Sequence, residues 1–233
     1  MGRLLVLWDV DYTLVDSDGI GRQLYETVFG ELFGRPMPQP GSMSGRTDQA
    51  IVLEVLTLAE VPDPDAAIGP FHDLMAAHAA DLAGVVPLRS RVLAGAAEAM
   101  SALARLDVVQ SLLTGNIRPL AEVKLGPLGL TEHLDLTVGA YGDAHAVRAE
   151  LVHIARDRAA RAYGCDFAGS ATVLVGDTPL DVGAALATGA RAVGVATGQF
   201  TAEELAASGA HAVLPDLADT DRTLAAILGT EQP

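Results

Sequence analysis

Short apolar runs alternate with longer amphipathic stretches along most of the chain, and this alternation limits the possible folds more than any other feature. The runs cover residues 4–8, 108–113, 134–138, 171–175, 192–196 and 211–214. Their continuous Val, Leu and Ala content is typical of strands that are covered on both faces of a parallel sheet. Helical patterns lie near residues 92–106, 119–128, 146–163, 180–188, 202–208 and 221–228. This order predicts an α/β fold with a doubly wound parallel sheet, whose sites form at the carboxyl ends of the strands.

Residues 16–87 interrupt the alternation, because they contain helical patterns only. These patterns lie near residues 21–33, 48–60 and 70–83, and prolines at positions 36, 38, 40, 62, 64 and 70 punctuate them. We therefore predict an α/β core domain formed by residues 1–15 and 88–233, with an inserted α-helical subdomain at residues 16–87.

The composition narrows the class of partner. The formal net charge is −15, and so acidic a chain is repelled by nucleic acid and by anionic lipid. We expect neither a nucleic-acid nor a membrane partner. No apolar stretch approaches the roughly 20 residues of a membrane span, and the single cysteine, Cys165, fits a reducing compartment. We expect a soluble cytoplasmic protein, and the sequence leaves its oligomeric state open.

A pair of carboxylates follows the first apolar run directly. Leu4 to Trp8 leads into Asp9, and Asp11 comes two positions later. In an extended chain these two side chains face the same side, where they would repel each other unless a cation or a shared proton lay between them. A hard cation such as Mg²⁺ suits oxygen ligands of this kind. The alternative is that both residues only cap the next element or shape a turn.

A second acidic pair, Asp177 and Asp181, follows the apolar run at residues 171–175. Asp177 leaves the strand and Asp181 lies one helical turn later, so both could bind the same cation. In the alternative interpretation Asp177 is the N-cap of a helix with Pro179 in its first turn. The two interpretations are compatible.

A third polar segment, Thr114-Gly115-Asn116, follows the run at residues 108–113. A hydroxyl group and free backbone N–H groups at the start of a helix can hold a phosphate, although an ordinary strand-to-helix turn has the same pattern. A phosphate site also needs a cation for the non-bridging oxygens. We favour Arg148, near the start of a predicted helix, with Lys124 as the alternative.

These segments, in this order, resemble the four motifs of the haloacid dehalogenase-like (HAD) hydrolase superfamily. The matching residues are Asp9-Val-Asp11-Tyr12-Thr13, Thr114, Arg148, and Gly176-Asp177-Thr178-Pro179-Leu-Asp181. The resemblance implies a Rossmann-like HAD core, and the insertion resembles the helical cap of the phosphoglycolate phosphatase-like branch. Two positions depart from the common pattern. Tyr12 stands where many of these phosphatases have Gly, and Arg148-Ala149 stands where a Lys-Pro pair is frequent.

The resemblance also implies a mechanism and a set of site residues. Asp9 would attack phosphorus and form an aspartyl-phosphate, and Asp11 would act as the general acid and base. Mg²⁺ would be held by Asp9, Asp177 and the backbone carbonyl of Asp11, and Asp181 would bind a metal-coordinated water or orient the other ligands. The transferred group would be bound by Thr114, Gly115 and Arg148, and we add Thr13, Asn116 and Tyr12 as expected substrate contacts. The presence of an acid at Asp11 argues against dehalogenation, because carbon–halogen cleavage needs no protonated leaving oxygen.

The substrate prediction is a small phosphorylated metabolite, with a phosphoglycolate-like monoester as the first candidate. Arg46, in a loop that resembles one in phosphoglycolate phosphatase-like caps, could contact a second anion on the substrate. Alternatively, Arg46 is solvated and Thr47 or Asp48 only caps a helix. A phosphomutase of the β-phosphoglucomutase type and a non-catalytic binding protein on the same fold are the competing functions.

Overall fold

The computed structural model describes residues 3–230, and its elements alternate as the apolar pattern predicts. The strands are β1 (Leu4–Trp8), β2 (Val15–Asp16), β3 (Arg91–Val92), β4 (Val108–Leu112), β5 (Thr172–Gly176), β6 (Arg191–Val195) and β7 (Ala212–Leu214). The helices are α1 (Ile20–Phe33), α2 (Asp48–Leu58), α3 (Pro64–Ala79), α4 (Val86–Arg89), α5 (Ala96–Leu103), α6 (Arg118–Leu125), α7 (Arg148–Tyr163), α8 (Pro179–Ala187), α9 (Ala202–Ala207) and α10 (Thr220–Leu228).

Five parallel strands form the main sheet in the order β4-β1-β5-β6-β7. Strand β1 pairs with β4 on one side, where Trp8 is opposite Leu112, and with β5 on the other, where Trp8 is opposite Val175. The strand order therefore reverses at β1: the chain passes from β1 to β4 on one side and then from β4 to β5 on the other side of β1. A crevice at such a switch of strand order is where open α/β sheets bind ligands.

Both faces of the sheet are covered, as a doubly wound fold requires. Along β1, Leu5 and Leu7 join a core cluster formed with α7 and α8, whereas Val6 and Trp8 join the cluster on the opposite face, formed with α5, α6 and α10. Successive side chains of a strand point to opposite faces, so one short apolar run supplies both cores. The predicted fold class is confirmed.

The inserted segment between β2 and β3, which contains α1–α4, is called the cap, and its helices α1, α2 and α3 form a third apolar cluster with α6 of the core. Phe29, Val55 and Phe71 of the cap are fully buried there together with Leu120 of α6. Strands β2 and β3 pair in antiparallel fashion, with Val15 opposite Val92. This small ribbon lies close to the two predicted boundaries of the insertion and carries the chain into and out of the cap.

Two sequence-based element predictions are wrong. Residues 134–138 form turns rather than a strand, and the neighbouring connection to the sheet is a single bridge between Leu113 and Ala140. The third cap helix begins at Pro64 rather than near Pro70. Pro64 occupies the first turn, where the missing N–H costs nothing, and the Asp63 carboxylate accepts the amide hydrogen of Ala66 at 3.2 Å.

Within the described residues, no helix has both the length and the apolar character that crossing a bilayer requires.

Candidate active site

Polar residues from three strand ends meet below the cap. Asp9 follows β1, Thr114 follows β4 and Asp177 follows β5, and these three strands are neighbours in the sheet. All three residues line one cavity of about 520 Å³, and cap residues including Arg46 form its opposite wall. The arrangement gives a small ligand access to the carboxyl ends of the strands while the cap limits its contact with water.

An acidic cluster forms the floor of this cavity. Asp9, Asp177 and Asp181 each offer a carboxylate oxygen, and these oxygens lie within 4.8 Å of one another. All three residues are buried. Buried carboxylates this close repel each other unless a cation or a proton compensates their charge. The oxygen donor set fits a hard divalent cation such as Mg²⁺.

The start of α8 fixes the positions of Thr178 and Asp181. Thr178 is the N-cap residue: its hydroxyl oxygen accepts the amide hydrogen of Asp181 at 3.2 Å, and the Asp181 carboxylate accepts the amide hydrogen of Thr178 at 3.1 Å. This is a reciprocal capping box. The N-cap is therefore Thr178, and the alternative that assigned this role to Asp177 is wrong. The carboxylate of Asp177 remains available to a cation.

Arg148, the first residue of α7, lies between two of these carboxylates. Its Nη2 donates to Asp9 Oδ1 at 2.8 Å and to Asp181 Oδ1 at 2.6 Å, and its Nη1 donates to the Gly45 carbonyl of the cap at 3.0 Å. Such charge-assisted bonds are stronger than neutral ones. One buried guanidinium thus connects the residue predicted as the nucleophile, the acidic cluster and the cap.

Asp9 and Asp177 of the acidic cluster have raised pKa values. Burial raises the pKa of Asp9 to about 7, although Arg148 opposes this shift. Burial, with the charges of Asp9 and Asp181, raises the pKa of Asp177 to about 9. Because one guanidinium does not compensate three carboxylates, the cluster is short of positive charge, which a divalent cation would supply.

The side chain of Asp11 lies outside the acidic cluster, and the sequence interpretation assigns only its backbone carbonyl to the metal. Its carboxylate accepts hydrogen bonds from Lys124 Nζ at 2.6 and 2.8 Å, Asn116 Nδ2 at 2.8 Å and Ser17 Oγ at 2.6 Å. Burial alone would raise the pKa of Asp11, but the ammonium group and these hydrogen bonds outweigh it and lower the pKa. Asp11 therefore lines the cavity as a carboxylate with its own cation.

The two cations that compete in the sequence interpretation thus have different partners. Lys124 is only 2% exposed, and its three hydrogen bonds go to Asp11 and to Asn116 Oδ1. Arg148 contacts Asp9 instead. Both line the cavity, but only Arg148 is bonded to the acidic cluster.

The loop after β4 lies tightly against the cap. The Gly115 carbonyl accepts the amide hydrogen of Asp48 at 2.7 Å, and a Cβ atom at Gly115 would lie 2.0 Å from the carbonyl oxygen of Arg46. A Cβ atom at Gly142 would lie 1.6 Å from the Gly115 carbonyl oxygen. Only glycine permits this approach. The Thr114 hydroxyl oxygen accepts two hydrogen bonds from Asn116, which leaves its own hydrogen free for a ligand.

Asp48, at the start of α2, joins the cap to the core. Its carboxylate accepts the amide hydrogen of Ile117 at 2.6 Å and the phenolic hydrogen of Tyr25. Burial raises the pKa of Asp48 to about 7. The sequence interpretation considered Asp48 only as a possible helix cap. The actual N-cap of α2 is Thr47, whose hydroxyl oxygen accepts the amide hydrogen of Ala50 at 3.3 Å.

Three predicted substrate contacts have distinct positions. Tyr12 lines the cavity with a positive φ of 57°, a conformation that glycine adopts without strain. Thr13 is fully buried, lies outside the cavity lining and has no hydrogen-bond partner for its hydroxyl among the described residues; its position is that of a packed core residue. Arg46 lines the cavity, but its guanidinium forms an ion pair with Glu54 of α2.

Comparisons with known proteins agree with this fold. Residues 149–220 match the family model described as HAD-hydrolase-like. No curated protein sequence matches the chain. A predicted phosphatase from Clostridium acetobutylicum has a similar structure, with a TM-score of 0.68, 18% identity and coverage of 95% of this chain and 98% of that one.

Two further solved structures are similar over almost the whole chain. A predicted phosphoglycolate phosphatase from Haemophilus somnus gives a TM-score of 0.63 at 17% identity, covering 95% of this chain and 97% of that one. CbbY from Rhodobacter sphaeroides gives a TM-score of 0.65 at 18% identity, covering 94% and 96%. The chain has the fold of the HAD-like hydrolases. The resemblance that the motifs indicate is thereby confirmed at the level of the fold and of the HAD-like match over residues 149–220.

Lys124 lines the cavity, and the sequence interpretation misses its partner, although a signal for its burial is present. The buried residues of α6 are Leu120, Ala121, Lys124 and Leu125, which share one face of the helix at spacings of one, four and five. A charged residue on an apolar helix face needs a partner. That partner, Asp11, lies 113 positions away in sequence, so no local pattern identifies it.

Proposed function

We propose that this HAD-like chain is a Mg²⁺-dependent phosphatase that hydrolyses small phosphate monoesters through an aspartyl-phosphate on Asp9. The single observation that carries the proposal is the position of Asp9. This carboxylate lies at the end of β1, in the wall of the cavity, next to Arg148 and within the acidic cluster. A nucleophile, a cation for the phosphoryl oxygens and a donor set for a divalent ion thus share one site.

Asp9, Asp177 and Asp181 would hold the Mg²⁺ ion. Their buried oxygen donors and the raised pKa values of Asp9 and Asp177 fit a group that supplies two positive charges. When bound, the ion would neutralise charge on the phosphoryl group and keep the carboxylates ionised.

The residues of this chain supply the remaining functions. Asp9 attacks phosphorus, the ester oxygen leaves, and water then releases phosphate from Asp9. Thr114, the Gly115 N–H and the Arg148 guanidinium orient the phosphoryl oxygens. Asp11 must first take up a proton, which it then gives to the leaving oxygen; the carboxylate that remains takes the proton of the attacking water. Lys124 stabilises the carboxylate form of Asp11. Asp11 needs this form to accept the proton of the attacking water.

The substrate class is supported by the size and closure of the cavity. Its volume of about 520 Å³ is that of a site for a small molecule, and the cap covers it. Among the similar structures, the CbbY protein was determined in complex with phosphate and the Haemophilus somnus protein is named a predicted phosphoglycolate phosphatase. 2-Phosphoglycolate is therefore the first compound to assay, within a wider panel of phosphorylated metabolites.

The test is phosphate release by the purified chain, measured with Mg²⁺ and after exhaustive chelation. We expect Asp9→Asn to abolish turnover of p-nitrophenyl phosphate, because an amide cannot form the covalent intermediate. The control Asp157→Asn changes an exposed residue of α7 and should retain full activity. Substantial turnover by Asp9→Asn, or by the chelated protein, would exclude this mechanism.

A second measurement separates chemistry from simple binding. Beryllofluoride mimics a phosphoryl group on a carboxylate, and we expect a Mg²⁺-dependent adduct at Asp9 that the Asp9→Asn variant does not form. Absence of the adduct at millimolar Mg²⁺ would favour a binding protein on this fold.

A further inference from the structure

All the cations that line the cavity within the described residues already have a carboxylate partner. At the core end, Lys124 pairs with Asp11, and Arg148 pairs with Asp9 and Asp181. These pairs belong to the proposed phosphoryl site, where a metal ion would add two charges. No metal ion would add positive charge at the cap end. The charge of the leaving group that this end can receive therefore depends on how its own cations are paired.

Arg46 is one of two cap cations that line the cavity, and it is the residue that the sequence suggests for a second anion. Its Nη1 donates to the Glu54 carboxylate and, at 3.3 Å, to the Ser42 carbonyl, while its Nη2 donates to the Ala50 carbonyl at 3.1 Å. The guanidinium is therefore bound entirely within the cap. A substrate carboxylate that approached Arg46 would also approach Glu54 and would have to compete with it.

Glu54 is itself held in place as an anion. Its Oε1 accepts the amide hydrogen of Gly41 at 3.0 Å, while Oε2 receives Arg46. The Gly41 amide, followed by Arg46, keeps the pKa of Glu54 below its usual range. The Arg46–Glu54 pair thus carries no net charge, and its geometry does not depend on a ligand.

The other cap cation on the cavity wall is Arg22, and it is compensated in the same way. It pairs with Glu26, one turn later on α1, at 3.1 Å, and also donates to the Gln39 side chain. Three further polar side chains at this end, Ser42, Ser44 and Gln199, are uncharged, and the Asp48 carboxyl group is already bonded to Ile117 and Tyr25. Hydroxyl and amide groups of this kind bind hydroxyl groups without a need for charge.

We infer that Glu54 is a specificity-determining residue, which neutralises Arg46 and thereby directs the site to phosphate monoesters with an uncharged, hydroxyl-bearing leaving group. This inference rests on the proposed phosphatase function, because it assigns the part of the cavity that faces the leaving oxygen. It ranks a polyol-type monophosphate above 2-phosphoglycolate, whose leaving group carries a second negative charge.

The test compares two substrates of nearly equal size. 2-Hydroxyethyl phosphate has an uncharged leaving group, and 2-phosphoglycolate has a carboxylate at the same place. For the wild-type protein with Mg²⁺, we expect kcat/KM to be at least about tenfold higher for 2-hydroxyethyl phosphate. Glu54→Gln keeps the acceptor for the Gly41 amide but removes the charge. It should therefore lower KM for 2-phosphoglycolate and shift the ratio about tenfold towards it.

Two further variants show where such a shift originates. Adding Arg46→Met to Glu54→Gln should cancel the gain, because the freed guanidinium is then missing. Glu122→Gln breaks an exposed Arg–Glu pair on α6, outside the cavity, and should leave the ratio of the two kcat/KM values unchanged. A wild-type preference for 2-phosphoglycolate, or an unchanged ratio in Glu54→Gln, would overturn the inference.

Equilibrium binding keeps this test independent of turnover. In the presence of Mg²⁺, calorimetric titration with 3-hydroxypropylphosphonate and 3-phosphonopropionate, which resist hydrolysis, gives the same comparison as a ratio of Kd values. If no monoester releases phosphate, the proposed phosphatase function fails, and the Kd ratio still decides the role of Glu54. Tighter wild-type binding of 3-phosphonopropionate, or no binding of either compound, would refute that role.

Discussion

Replacing Asp177 with Asn tests whether the acidic cluster is built around a cation. Asp177 is buried, no other side chain donates a hydrogen bond to it in the described part of the chain, and its pKa is raised from 3.8 to about 9. Asn has nearly the same volume and no charge. The substitution therefore removes mainly the repulsion within the cluster.

The sign of the effect depends on whether metal is present. A carboxyl group whose pKa is raised by folding contributes stability below its unfolded pKa, and this contribution is lost as the pH rises towards the folded value. At pH 7.5 without metal, wild-type Asp177 lies between its unfolded pKa and its folded pKa, so part of this contribution is lost. One pKa unit corresponds to about 1.4 kcal/mol. Even if relaxation removes most of the shift, we expect Asp177→Asn to be about 2 kcal/mol more stable than the wild type, or roughly 4–8 °C in Tm for a chain of this size.

Mg²⁺ should reverse this order. A ligand at about 100 times its Kd stabilises the folded state by about 2.7 kcal/mol, and only the wild type keeps the complete donor set. Scanning calorimetry with EDTA and with saturating Mg²⁺ measures both effects, and Asp157→Asn on the exposed face of α7 serves as the control. If metal-free Asp177→Asn were less stable than the wild type, or if Mg²⁺ raised both Tm values equally, the cation-site argument would be wrong.

Two other substitutions test how the site is held together. Arg148→Met leaves two buried carboxylates without their cation and should lower the free energy of unfolding by about 3–5 kcal/mol. Mg²⁺ should restore part of this loss. The control Arg156→Met removes an arginine bonded only to neutral acceptors, and Mg²⁺ should not restore its stability. Asp48→Ala leaves a buried amide and a buried phenol without an acceptor, which should cost about 1–3 kcal/mol in urea unfolding. The exposed first-turn residue Asp65 provides the control Asp65→Ala, and equal losses in the two Asp variants would contradict the role of Asp48.

The mutual position of the acidic residues could be predicted because it depends on strand ends. Apolar runs identify β1, β4 and β5, and parallel strands bring the residues that follow them to one edge of the sheet. Asp9, Thr114 and Asp177 line the same cavity for this reason. The run at residues 134–138 failed as a strand because a short apolar segment can also pack as turns against a core, as Leu134 and Leu136 do.

The sequence by itself determined the order of strands and helices, the place of the insertion and the acidic residues at the strand ends, because periodicity and turn chemistry act over a few neighbouring positions. Only the tertiary structure decided which cation meets which carboxylate. The pairs Lys124–Asp11 and Arg148–Asp9 join residues 113 and 139 positions apart, and the Arg46–Glu54 pair depends on how the loop before α2 folds back onto that helix. Ion pairs of this kind form where the strand order and the docking of the cap bring charges together in a buried site, and no local pattern encodes that distance.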